Sequence, residues 1–139
     1  LKPSAHLHLL IRSEIKNPPG PQDCEKVSDI MRGIVGHVRM NVMIDPVTAY
    51  CNDLGNEGIT STVILTTSHC TMHIWNFPES NDGVMQFDLY SCAPFDVDEV
   101  ISYLAGKFEI KSAKFKFLDR ETGFVDINNG EYIDSHYEN

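Results

Sequence analysis

The sequence lacks any long hydrophobic run: no apolar stretch approaches the roughly 18 residues that a membrane-spanning helix requires, so no membrane partner is expected. Basic residues are scarce. Eleven Lys and Arg stand against twenty Asp and Glu, for a formal net charge of -9, and they form no cluster along the chain. Such a balance repels phosphate backbones, which argues against a nucleic-acid partner and makes a cationic small ligand easier to accommodate. The four cysteines, Cys24, Cys51, Cys70 and Cys92, show no C-x-x-C pair, no zinc-ribbon spacing and no dense disulfide framework. No Asn-x-Ser/Thr acceptor occurs, and the amino end, Leu1-Lys2-Pro3, carries no signal-peptide pattern. These absences predict a cytoplasmic, reducing location with the cysteines as free thiols.

What the sequence does contain is the material for one core. Its 139 residues, 42% hydrophobic and 22% charged, suit a single domain over residues 1–139 with a polar C-terminal tail from about residue 119. His6 to Ile11 reads as an opening strand. After the Gly20-Pro21 break, Asp23 starts a segment whose apolar residues Val27, Ile30, Met31, Ile34, Val35 and Val38 recur at helical spacing. Residues 42–58 predict a short strand followed by a long turn region. Ile59 to Thr67 and Thr71 to Trp75 read as strands, and the turn-rich Asn76 to Gly83 leads into an antiparallel partner at Val84 to Ser91. Asp96 with Glu99 resembles a capping box for a helix carrying Val97, Val100, Ile101 and Leu104. Ala113, Phe115 and Phe117 alternate with Lys114 and Lys116, as in a half-buried strand. Two helices and about five strands predict an α+β two-layer sandwich, a mainly antiparallel sheet with helices on one face. Its other face is then solvated or paired with a second subunit.

Reactive side chains are densest in Ser68-His69-Cys70-Thr71-Met72-His73-Ile74-Trp75. As a helix this segment would bring His69 and His73 to one metal ion, but it reads as a strand. Four residues of strand separate the rings by roughly 13 Å, and no metal site is expected from them. Period two places Thr71, His73 and Trp75 on one face and Cys70, Met72 and Ile74 on the other. The bland reading is a hairpin with its oily face on a helix and its histidine and tryptophan half exposed. A hydrolase triad of Ser68, His73 or His69, and Asp88 has only weak support, because the chain has no Gly-x-Ser-x-Gly elbow. A Cys92–His73 pair rests on residue type alone.

The order Gly58, Thr60, Ser68-His69, His73-Ile74-Trp75, Pro78-Glu79 and Asp88-Leu89-Tyr90-Ser91-Cys92 resembles the short, prokaryotic-type S-adenosylmethionine decarboxylases. Their pattern is Ser-His, His-x-Trp-Pro-Glu and Asp-x-x-x-Cys. The match covers about residues 58 to 92 by motif and extends more loosely to the flanking strands and helices. The resemblance implies a zymogen that cleaves itself at Thr67-Ser68 and converts Ser68 into a pyruvoyl group. That group is an electron sink: a substrate amine forms a Schiff base with it, and the carbanion left by carbon dioxide delocalises into it. By the same resemblance His73 assists as acid or base, Cys92 returns a proton to the substrate, and Trp75, Glu79 and Thr60 contact S-adenosylmethionine. The product would feed polyamine (spermidine) biosynthesis, and the enzyme would be a homodimer with sites built from both subunits. The chain departs from the pattern at four places: Thr67 stands where Glu usually precedes the serine, two extra residues separate Trp75 from Pro78-Glu79, Thr60 replaces a serine, and the region of Leu54 offers no aromatic.

Two other readings keep part of this chemistry. One is a related decarboxylase acting on arginine or ornithine. The other is a homologue that never cleaves itself and binds a nucleoside or a partner subunit; the presence together of Ser68, His73 and Cys92 disfavours it.

Overall fold

The computed structural model describes residues 5–134, so the amino end read above for a signal peptide and residues 135–139 of the tail lie outside the described residues. The chain runs β1 (Leu7–Lys16), α1 (Cys24–His37), β2 (Val42–Cys51), β3 (Gly58–Leu65), β4 (Ser68–Phe77), β5 (Asp82–Ser91), α2 (Val97–Lys107), β6 (Glu109–Asp119) and β7 (Val125–Ile133). The strands form one sheet in the order β2-β3-β4-β5-β1-β6-β7. Every neighbouring pair is antiparallel. Threading β1 between β5 and β6 brings residues about eighty positions apart into register, such as His8 with Tyr90 and Leu10 with Asp88.

One face of the sheet is oily. Leu9, Ile11 and Ile15 of β1, Val63 of β3, Met72 and Ile74 of β4, and Met85, Phe87 and Leu89 of β5 alternate inward. They meet Val27, Met31, Ile34 and Val35 of α1 and Val100 and Leu104 of α2 in one cluster. This is the expected α+β two-layer sandwich, with both helices on the same face. A chain of hydroxyls ties the layers at one edge: Ser28 of α1 bonds Thr48 of β2 at 2.7 Å, and Thr48 bonds Ser61 of β3 at 2.7 Å. Buried hydroxyls need such partners.

The structure corrects the expected elements at their edges. Among the described residues seven strands are present where about five are expected. The region from residue 42 holds a ten-residue strand, β2, whose register shifts around Pro46, a residue that a sheet tolerates only at an edge or bulge. The polar segment past Asp119 contains β7, paired with β6 from Ser112↔Ile133 to Asp119↔Val125. Both are outermost strands with mostly exposed side chains, so alternation is confined to part of each.

The capping box on α2 is half formed. Asp96 Oδ1 accepts from the Asp98 backbone N–H at 2.8 Å, while the Glu99 carboxylate turns to Arg39 Nη2 at 3.1 Å. Replacing Asp96 with Ala is expected to cost about 1 kcal/mol, read as a lowered urea midpoint at unchanged slope.

Candidate active site on the uncovered sheet face

Both helices lie on the oily face, so the other face of the central strands carries the reactive groups in rows set by strand register. The row nearest the β3–β4 turn reads Ile64, His69, Tyr90, His8 and Leu118. The next is Thr62, Thr71, Asp88, Leu10 and Lys116. Then come Thr60, His73, Gln86, Arg12 and Lys114, followed by Gly58, Trp75, Val84, Glu14 and Ser112. The expected division of β4, with Thr71, His73 and Trp75 on one face and Cys70, Met72 and Ile74 on the other, is observed.

Ser68 opens β4 directly after the two-residue turn Thr66-Thr67 and pairs with both Leu65 and Ser91. Its φ is 144°, a conformation that side-chain-bearing residues rarely adopt and that stores strain of the order of 1–3 kcal/mol. The Thr67 carbonyl, on the bond preceding Ser68, accepts a hydrogen bond from the Cys92 backbone N–H at 3.0 Å. The Thr67 hydroxyl beside it is buried and has no hydrogen-bond partner among the described residues. Cys92 follows the end of β5 and is half-buried, and all four cysteines are free. Cys70 is fully enclosed, and burial pushes its thiol well above the usual range, so of the two thiols on β4 and after β5 only that of Cys92 is open to reaction.

His73 and Thr60 form a second group, with the imidazole Nδ1 3.0 Å from the Thr60 hydroxyl. The Trp75 ring lies 5.8 Å from that of His73, and its Nε1–H donates to Asn56 Oδ1 at 3.1 Å. Trp75 and Glu79, expected to contact substrate, line one groove of about 670 Å³ with Arg12, Leu54, Glu57 and Phe77. An adjoining groove of about 450 Å³ runs past His73, Gln86 and Asp88 under Leu10, Arg12 and Lys116.

Within one chain the structure does not bring all of these together. Five residues of β4 separate Ser68 from His73, roughly 16 Å at about 3.3 Å per residue. Ser68 with Cys92 therefore marks the β3–β4 turn end of the strands, and Thr60 with His73 and Trp75 lies along the uncovered face. Nor does a hydrolase triad assemble. Asp88 is 3.5 Å from His69 Nε2, but alternation points His69 and Ser68 to opposite faces. Cys92 and His73 are likewise apart.

His8 and Arg120 were invisible as site residues in the sequence. His8 Nε2 lies 2.8 Å from Asp88 Oδ2, and Arg120 Nη1 lies 3.2 Å from His8 Nδ1. The guanidinium also stacks over the Tyr90 ring at 4.4 Å. No sequence signal joins these groups, because only the insertion of β1 between β5 and β6 makes them neighbours.

A model of the S-adenosylmethionine decarboxylase family matches residues 14–121. Among solved structures the chain is similar to the Trypanosoma brucei AdoMetDC-delta26 monomer, with a TM-score of 0.52 and 10% identity over 88% of this chain and 53% of that one. It thus spans about half the length of that chain. A phage SAM lyase in complex with S-methyl-5'-thioadenosine overlays with a TM-score of 0.43 and 9% identity, over 96% of this chain and 94% of that one. No curated protein matches in sequence.

Proposed function

Since the chain belongs to the S-adenosylmethionine decarboxylase family, we propose that it is a self-cleaving decarboxylase of S-adenosylmethionine whose product serves as an aminopropyl donor for polyamines. The observation that carries this reading is the Thr67-Ser68 bond itself, with its serine at φ 144° and its carbonyl already held by the Cys92 N–H at 3.0 Å. Cleavage begins when the Ser68 Oγ adds to the Thr67 carbonyl carbon. Negative charge then develops on the oxygen that the Cys92 N–H faces, the arrangement that lowers the barrier of acyl transfers. The C–N bond breaks, the serine nitrogen takes the proton, and an ester joins the two parts. Loss of the Ser68 α-proton expels the Thr67 carboxylate, and hydrolysis of the resulting enamine releases ammonia. These residues fit a pyruvoyl group at position 68, because the strained bond, the oxyanion donor and a half-buried thiol are all within the same turn region.

Once formed, the group supplies an electron sink for the carbanion left by decarboxylation. The rest is done by side chains. The Cys92 thiol returns a proton to the substrate carbon, His73, held through Nδ1 by Thr60, moves a proton at Nε2, and Trp75 and Glu79 bind the nucleoside end. The His73 Nε2 that does so for Ser68 belongs to a second copy, since 16 Å is far beyond proton-transfer reach. A homodimer supplies it.

The test is intact mass of the purified chain after prolonged incubation. Two fragments of 67 and 72 residues are expected, their masses summing to that of the chain plus water less ammonia. One stable species of full length sinks the proposal. It would favour a second reading, a homologue that binds a nucleoside without cleaving. One observation leans that way: Thr67 presents a buried hydroxyl with no partner among the described residues where the family carries Glu.

A further inference from the structure

We propose that His8, His69 and Asp88 form a divalent-cation site of the zinc type on the uncovered face, which Arg120 holds shut in the cation-free chain. The three residues stand on the three central strands β1, β4 and β5. His8 and His69 flank Tyr90 in one row, and Asp88 lies two residues along β5 on the same face. His8 Nε2 is 2.8 Å and His69 Nε2 3.5 Å from the same oxygen, Asp88 Oδ2. All three donor atoms fall within 4.8 Å of one another. Ligands bound at about 2.0–2.2 Å in a tetrahedron sit roughly 3.3–3.6 Å apart, so shifts of about an ångström complete the geometry. A hydrogen bond between His8 and Asp88 would explain one of these contacts. It does not explain why a second imidazole nitrogen converges on the same oxygen.

The donor chemistry selects the ion. Two imidazoles and one carboxylate are the set used by zinc and its neighbours in the first transition row, and three protein ligands leave a fourth position open. The side chains are 14%, 43% and 25% exposed for His8, His69 and Asp88, so an ion can enter from the open face.

Arg120 explains why the site is closed without a cation. Its Nη1 is a donor 3.2 Å from His8 Nδ1, which must therefore be the bare nitrogen. The imidazole hydrogen then sits on Nε2 and is donated to Asp88. Coordination through Nε2 moves that hydrogen to Nδ1, where a guanidinium cannot accept it, so Arg120 must withdraw. It has somewhere to go: its plane already covers Tyr90 at 4.4 Å and lies 5.8 Å from the Phe124 ring. Withdrawal also takes a positive charge away from the incoming cation. No proton leaves the protein, since the hydrogen only changes nitrogens. The Tyr90 ring lies 5.2 Å from His8 and 5.7 Å from His69, and the buried Cys70 thiol interacts with Asp88 from the opposite face of β4.

Chelator-treated full-length protein titrated to equilibrium with Co2+ tests this directly. The expected result is one equivalent bound, with the visible absorption bands of a tetrahedral ion that Zn2+ displaces. His69→Ala, at a half-exposed position, should keep the wild-type melting temperature and lose the bands. Arg120→Met should tighten binding about tenfold, a typical size for an outer residue acting on a metal ligand. Absence of the bands in both wild type and Arg120→Met overturns the site, as does binding that survives His69→Ala. Unchanged or weaker binding by Arg120→Met overturns the shutter. Ser68→Ala should bind Co2+ as wild type does, which keeps this test separate from the fate of the proposed decarboxylase activity.

Discussion

Co-expression of a Ser68→Ala chain with a His73→Ala chain is expected to restore S-adenosylmethionine decarboxylation to about a quarter of the wild-type rate, although each variant alone is inactive. The reasoning is geometric. Ser68 and His73 belong to one strand, five residues apart, and a strand is too stiff to fold one onto the other. In the proposed homodimer the His73 of one copy serves the Ser68 of the other. In the mixed dimer one site then receives an intact serine from the His73→Ala chain and an intact histidine from the Ser68→Ala chain, while the other site has neither. Random pairing makes about half the dimers mixed, each with one working site of two. Release of labelled carbon dioxide measures the rate, and intact mass shows whether the serine-bearing chain has been cleaved. If the mixture is as inactive as its parents while the wild type works, the catalytic groups come from one chain and the shared site is wrong.

The residues that make this prediction differ in how far they could be read from sequence. The face that carries His73 and Trp75 followed from alternation in β4, because Cys70, Met72 and Ile74 are all buried on the opposite side. Both helices were legible for the same reason, each burying one stripe. The sheet edges were not. β7, with Asp126, Asn128, Asn129 and Glu131, pairs through its backbone and buries almost nothing, so its side chains record little period. The site was legible in parts. Ser68, Cys92, His73 and Thr60 stood out by order and spacing, but their division into two separated groups is a consequence of strand direction and register. His8 and Arg120 had no signal, since Asp88 lies eighty residues from His8 in sequence and is reached only through β1's central place in the sheet. Non-local pairing of this kind leaves no local pattern to read.

A second large effect is expected from a single methyl group. Gly58 begins β3 opposite Trp75, and a Cβ at this position would meet the Ile74 carbonyl oxygen at 1.8 Å and its carbon at 2.8 Å. Backbone atoms in the middle of a sheet cannot turn aside as a flexible side chain does. The start of β3 would have to lift from β4, breaking ladder hydrogen bonds and straining the pair, at a cost of about 3 kcal/mol. For a chain of this length that is roughly a 10 °C fall in melting temperature for Gly58→Ala. Gly106→Ala is the control: its Cβ would meet nothing within 4 Å, and in α2 the change should be neutral or stabilise by up to about 1 kcal/mol. Gly58 also has φ 157°, which alanine adopts only with strain, so the difference reports that strain together with the contact with Ile74. The Thr60–His73 hydrogen bond lies only two residues further along the same pair of strands. Lifting β3 therefore loosens the imidazole as well, and Gly58→Ala should lose activity at temperatures where it is still folded. Melting within about 2 °C of the wild type would mean that β3 and β4 do not approach as described at this position.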